Sequence, residues 1–273
     1  MRCLRERLVT HPFVARLKPN AQRAARTARP FRFFAREAAG RGGMGVYGLR
    51  KEPAVRVAVR HGTPDVESFD QVFCQEVHDV PAPVAAALGG LARPPRILDL
   101  GANIGLFAAW AAARWPGAEL TCVEPDADNL AVLHAAARAN GGGWDIVEAA
   151  AGTAAGELRF AAGRFAVSRA ALPGETGAEI VTVPLVDALE LAARHDLIKI
   201  DIEGGEWEIL ADSRLGEVPA TAITLEYHPH LCPAHDTHSH AAALLDAAGF
   251  TVRRVPHVYG APPDDGALWA WRA

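Results

Sequence analysis

Ile97-Leu98-Asp99-Leu100-Gly101-Ala102-Asn103-Ile104-Gly105 is the stretch whose reading decides the fold. An apolar run ends in an acid, turns through small residues and passes into an Ala-rich segment. That order predicts a strand over 97–100, a tight turn and a helix over 104–114. Gly101 and Gly105 permit a close turn, and Asn103 is one of the few other residues that tolerates positive φ. Downstream the pattern repeats. Strand 119–123 leads to helix 126–139, and strand 145–149 to a Gly-rich excursion and a strand over 179–184. Helix 186–194, strand 197–201, helix 205–212, strand 221–226 and helix 238–248 follow. Two closing strands, 251–256 and 267–272, flank the Pro262-Pro263-Asp264-Asp265-Gly266 turn. Alternating strands and helices predict an α/β fold, a doubly wound, mostly parallel, seven-stranded sheet with helices on both faces. Parallel neighbours need a long crossover, so the short last connection predicts a terminal antiparallel hairpin.

Upstream, residues 1–50 read as short helices broken by Pro12, Pro19 and Pro30, ending in a Gly-rich linker from Gly40 to Gly48. This suggests a basic helical N-terminal extension over 1–52 and a main domain over 53–273. Phe31, Phe33 and Phe34 are expected to dock the arm on the body. Val55, Val57 and Val59 alternate with Arg56 and Arg60 as in a half-buried strand, and Thr63-Pro64-Asp65 starts a helix. The net charge of −4 is unevenly placed: residues 1–60 hold fifteen Lys/Arg against three Asp/Glu. A basic arm folded against an acidic body accounts for this more simply than a nucleic-acid surface. The four cysteines, Cys3, Cys74, Cys122 and Cys232, form no Cys-x-x-Cys pair, so a reducing cytoplasm is the expected compartment. No apolar run reaches the roughly 18 residues a transmembrane helix needs.

Ligands of an open parallel sheet bind beyond the carboxyl ends of its strands. Asp99, Gly101, Asn103 and Gly105 follow the first strand, Glu124-Pro125-Asp126 the second, and Ala149-Ala150-Ala151-Gly152 the third. Asp201 and Glu203 follow the next strand, and Glu226 and His228 the one after. Acids and a histidine thus gather at one rim. Glu124 is placed to accept from both ribose hydroxyls of a nucleoside. The turn lacks the Gly-x-Gly-x-x-Gly of dinucleotide sites, which argues against a nicotinamide oxidoreductase. A cofactor with a ribose, a cationic amino-acid tail and no pyrophosphate suits it, and S-adenosyl-L-methionine is one. The expected cofactor contacts are Asp99, Gly101, Asn103, Gly105, Glu124, Pro125 and Ala150.

With these residues in view, the chain resembles the FkbM-type family of S-adenosylmethionine-dependent methyltransferases. Three blocks carry the likeness: Asp99 to Gly105 with Val123-Glu124-Pro125-Asp126 and Asn129, Leu197 to Glu206, and Leu225-Glu226-Tyr227-His228-Pro229. Arg60 to Asp65 and Gln71-Val72-Phe73 are similar to the family's lead-in helix, and the likeness spans roughly residues 55–255. Two positions depart from the pattern: His78 stands where Tyr is frequent, and Gly205 where a larger residue is common. The resemblance implies a Rossmann-like methyltransferase that methylates a hydroxyl on a sugar or secondary metabolite.

Such a reaction needs in-line positioning of the acceptor and a base for its proton. His228, Asp201 and Glu203 are the candidate catalytic residues, with His228 as base and an acid orienting it or the acceptor. A structural alternative has Asp201 and Glu203 capping the helix that begins at Gly204. Lys199 is expected to pair with one of these acids. The run His228, His230, Cys232, His235, His238, His240 is interrupted by Pro229 and Pro233 and matches no zinc spacing, so no metal is expected. The loop 155–178 is long enough to form a lid or a substrate wall, with room for a hairpin. The expected partner is a small-molecule or glycan hydroxyl acceptor. A nucleic-acid methyltransferase and a non-catalytic protein retaining the cofactor fold are the competing readings.

Overall fold

The computed structural model describes residues 12–40, 43–75, 79–172, 174–177, 179–229, 231–255 and 266–272. His78, His230 and the Pro262–Asp265 turn lie outside them.

Seven strands form the central sheet. They are β3 (Arg96–Leu100), β4 (Glu119–Val123), β5 (Asp145–Val147), β10 (Leu197–Ile200), β11 (Ala222–Tyr227), β12 (Thr251–Arg254) and β13 (Gly266–Trp271), ordered β12-β13-β11-β10-β3-β4-β5. The run from β11 to β5 is parallel. β13 inserts antiparallel between β11 and β12, so the terminal pair is antiparallel as the connection requires. The order reverses at β3, which places the crevice for a ligand beside Gly101.

Alternation along the strands sorts the core into two layers. Leu98, Leu100, Ile198, Ile200, Ile223 and Leu225 pack against Trp207, Ile209 and Leu210 of α8 (Glu206–Ala211) and Ala241 and Leu245 of α9 (Thr237–Ala247). Ile97, Leu197 and Trp269 face the other way, against Phe107 and Ala108 of α5 (Leu106–Arg114) and Leu133 of α6 (Ala127–Ala139).

Several sequence expectations are corrected here. Met44–Gly48, read as a linker, is strand β1, paired antiparallel with β2 (Arg56–Arg60). Its alternate residues Gly45 and Tyr47 are buried, so the two-residue period outweighs its glycines. Pro19 does not end a helix: α1 runs from Pro12 to Arg26, and α2 follows from Pro30 to Ala39. A proline removes one helical hydrogen bond. The helix continues because its last turns are tied down, with Arg23 Nε donating to Asp70 Oδ1 at 2.8 Å. The strand expected at 179–184 is β9 (Ile180–Asp187), and it does not join the central sheet. Only two of its eight residues are buried, too few for a strand covered on both faces. It forms a second sheet with β6 (Ala150–Gly152), β7 (Gly156–Ala161) and β8 (Arg169–Ala170), in the order β6-β9-β7-β8. The 155–178 excursion therefore contains hairpin strands.

The arm docks as expected through Phe33, which is fully buried against Tyr47, His61 and Phe69. Phe31, by contrast, is 91% exposed. The same apolar cluster includes Ile104, Leu106 and Val132, so the N-terminal elements sit on the outer side of α5 and α6.

Candidate active site

Gly101 (φ +75°), Asn103 (φ +49°) and Gly105 (φ +81°) all adopt left-handed backbone. Gly101 is demanded by the chain itself: a Cβ there would lie 1.8 Å from the carbonyl oxygen of Asp201. The turn thus interlocks with the end of β10 and lies against the candidate catalytic acids. Glu124 closes the turn from the other side. Its Oε2 accepts the N–H of Asn103 at 2.8 Å, and its Oε1 accepts the N–H of Asp126 at 2.9 Å. Burial pushes this carboxyl up to about 7, against the pull of those hydrogen bonds.

Beside the turn lies a cavity of about 530 Å3. Gly101, Asn103, Glu124, Pro125, Ala150, Asp201 and Glu203 line it. Asp99, Gly105 and His228 stand behind its wall. Asp99 is 1% exposed and sits opposite Lys199 in the β3–β10 register. Lys199 Nζ is 3.3 Å from Asp99 Oδ1 and 3.0 Å from Asp201 Oδ2, and donates to the carbonyl of Gly101 at 2.8 Å. Lys199, expected to pair with one acid, bridges two. Burial disfavours its charge, but Asp201 and Asp99 overcome that and hold its proton more tightly than usual. The cavity residues fit a cationic nucleoside cofactor. Asn103 Oδ1 is buried with no hydrogen-bond partner, and carboxylates outnumber ammonium groups along the wall.

At the far edge, His228 follows β11, its side chain 6% exposed. Its backbone N–H and its Nδ1 both approach Glu206 Oε1, at 2.7 and 3.2 Å. Glu206 is fully buried, and its Oε2 accepts the N–H of Gly204 at 2.7 Å. With Nδ1 so held, Nε2 lies 3.5 Å from Glu203 Oε1 and 3.9 Å from Asp201 Oδ1. Burial alone would strip His228 of its proton. The hydrogen bond to Glu206 and the charges of Glu203 and Asp201 outweigh it and raise the imidazole to about 10. Burial, partly offset by His228, lifts Glu203 to about 8. Glu203 also takes a left-handed backbone, φ +53°.

The helix-capping alternative does not hold. α8 begins at Glu206, and its N-cap residue is Gly205, with no side-chain cap. Sequence reasoning quoted Glu206 without giving it a role. The available signal was its helical phase: it shares the buried face of Trp207, Ile209 and Leu210, where a carboxylate must have partners. One atom each from Asp201, Glu203 and His228 lies within 4.8 Å of the others, so these three could hold a metal ion. Two other histidines of the run are engaged differently. His238 Nδ1 is 3.1 Å from the Tyr227 hydroxyl, and His240 packs on Trp207.

The second sheet supplies the remaining wall. Leu158, Phe160, Phe165, Ala166, Ser168 and Leu185 all border the cavity, so the 155–178 excursion acts as a wall. Among the described residues no helix is long and apolar enough to cross a membrane.

A solved magnesium protoporphyrin IX methyltransferase from Synechocystis PCC 6803, with bound S-adenosylmethionine, is 15% identical. The match covers 76% of this chain and 82% of that one, with a TM-score of 0.45. A methyltransferase dependent on the same cofactor from Agrobacterium tumefaciens is 14% identical over 85% and 70% of the two chains, with a TM-score of 0.45. A precorrin-6y C5,15-methyltransferase from Geobacter metallireducens is 14% identical over 70% and 86%, with a TM-score of 0.42. A search of curated proteins gives no match. The Methyltransferase FkbM domain matches residues 99–252, which is more than half of the chain and runs from the acid of the glycine turn through the Asp201 and His228 blocks. The chain belongs to the FkbM family of S-adenosylmethionine-dependent methyltransferases.

Proposed function

We propose that the protein is an O-methyltransferase acting on a hydroxyl of a small molecule or sugar, with Asp201, Glu203 and His228 as its acceptor-side residues. The observation that carries this reading is the buried Glu206–His228–Glu203 chain at the edge of the cavity that the glycine turn and Glu124 border. S-adenosylmethionine supplies an electrophilic methyl group on a cationic sulfur. Gly101, Asn103, Glu124, Pro125 and Ala150 form its seat, and Asp99 acts from behind by fixing Lys199. Gly105 shapes the turn from beneath, where a Cβ would meet Leu133 at 2.7 Å.

Asp201 and Glu203 reach the cavity and accept the hydrogen bond of an acceptor hydroxyl. Asp201 keeps its orientation through Lys199, so its other oxygen stays turned toward His228. A hydroxyl is far from ionised at neutral pH and must lose its proton as its oxygen bonds to carbon. Of the Glu203–His228 pair, in which His228 already holds its proton, the Glu203 carboxylate takes the proton of the hydroxyl. The two groups are coupled at 3.5 Å, so they titrate together rather than as separate acids. Glu206 fixes the ring so that Nε2 faces the reacting side, which makes it a positioning residue.

The test is transfer of labelled methyl from the cofactor into an extract of cells lacking this protein. His228→Ala retains S-adenosylhomocysteine binding by calorimetry, within about threefold of wild type. Its transfer rate falls by about 10²–10⁴. Normal turnover in that variant removes the Glu203–His228 pair from the reaction. Thermal stabilisation by NAD but not by S-adenosylhomocysteine removes the whole reading.

A further inference from the structure

The segment 163–168, between β7 and β8, is fastened at three points to residues outside its own sheet. Asp126 caps α6 with one carboxylate oxygen, accepting from Asp128 and Asn129 N–H. Its other oxygen accepts the Gly163 N–H and the Ser168 hydroxyl, both at 2.7 Å, and so closes the two ends of the segment on one atom. Asn129 Nδ2 donates to the Phe165 carbonyl at 3.0 Å and reaches Glu124 Oε1 at 3.4 Å. Its Oδ1 accepts from Arg60 at 2.7 Å. The Arg60 guanidinium, held by the buried Asp65, lies 4.9 Å from the centroid of the Phe165 ring. Phe165 itself has φ +59°, a conformation an L residue with a bulky side chain rarely adopts. Such strain persists only where surrounding contacts over-determine it, and here it sits in the wall of the cavity.

Placement follows from Glu124. If its carboxylate receives the ribose, the acceptor side lies toward Asp201 and Glu203. The base then points toward Pro125, Ala149, Ala150, Asn129 and Phe165, a stretch of the wall with no ionisable side chain. That stretch suits a neutral, flat heterocycle. Asn129 joins the two regions, since one amide group touches both the ribose acid and the Phe165 carbonyl.

We propose that Phe165 is the cofactor's base-recognition residue, an aromatic surface on which adenine packs, with Asp126 and Asn129 positioning it and Arg60 backing its ring. This rests on the ribose placement at Glu124, and not on the nature of the acceptor. Base–aromatic packing predicts about a tenfold loss on removing the ring.

The experiment titrates the full chain with S-adenosylhomocysteine and, separately, with adenosine. Phe165→Leu weakens both by about the same tenfold factor, and Phe165→Tyr restores both to within threefold. A Phe165→Leu protein that binds both as wild type overturns the proposal. So does one that loses only S-adenosylhomocysteine, because the ring then touches the amino-acid tail and not the base. Ser168→Ala, which frees one end of the segment without touching the core, serves if Phe165→Leu fails to fold. It weakens both probes equally, and no loss or an unequal loss counts against the proposal. Glu124→Gln forms a separate arm: if it leaves both affinities unchanged, the ribose placement fails while the Phe165 result still reads on the base.

Discussion

At the scale of single residues, the site depends on carboxyls held away from water. Glu124 is 4% exposed and keeps its proton to about pH 7 in the folded state. The unfolded chain releases that proton near the ordinary glutamate value. Between those two values the folded form carries the extra proton, so stability falls as pH rises through the window and is flat above it. The loss is on the order of 3 kcal/mol for the unliganded protein. Denaturant melts from pH 5 to 8 should show this slope in wild type and a shallower one in Glu124→Gln. In the proposed placement ribose hydroxyls donate to the ionised carboxylate, so S-adenosylhomocysteine should bind more tightly as pH rises through 7, and the variant should lose that trend. Glu124, Asn103 and Gly101 were legible from sequence because their residue types suit a turn and a nucleoside. Glu206 was not, since an acid in helical phase with apolar neighbours announces burial and not the partner it finds.

At the scale of elements, the N-terminal arm belongs to the architecture of the cavity. Phe33 of α2 packs on Phe69 of α3 (Asp65–Phe69), and Ser68, Gln71 and Val72 of that helix and its continuation line the cavity. Phe33→Ala should cost about 3–5 kcal/mol, the range for removing a buried ring. It should also expose the arm to limited proteolysis and weaken S-adenosylhomocysteine binding, because the cavity loses the support behind one wall. Unchanged protease resistance would mean that other contacts hold the arm. The sequence reading placed the alternating core elements within a residue or two of their observed positions. It missed β1, where turn-forming glycines mask a two-residue period, and it did not assign β9 to its own sheet. Strand propensity reports that a segment is extended, and partner choice depends on which edges are open after the chain has folded back.

At the scale of the whole molecule, the interlock of Gly101 with Asp201 joins the proposed cofactor seat to the proposed, acid-lined acceptor side. Lys199 and the protonated His228 already supply positive charge among those acids. Methyl transfer should therefore survive exhaustive dialysis against a chelator, measured with labelled cofactor. If activity is lost and manganese restores it, Asp201, Glu203 and His228 are metal ligands, in keeping with their 4.8 Å grouping. The amino-acid sequence by itself determined the alternating α/β order, the glycine turn, the acids at the strand ends and the family, because hydrophobic period and short-range spacing are local properties. Only the tertiary structure decided which acids meet. It set Asp99 and Asp201 on one lysine, His228 on Glu206, and the β7–β8 segment on Asp126 and Asn129. Asp201 lies two residues from Lys199, but the other pairings span from about 20 to about 100 residues of chain, and they arise because buried charges and backbone groups must find partners wherever packing brings them.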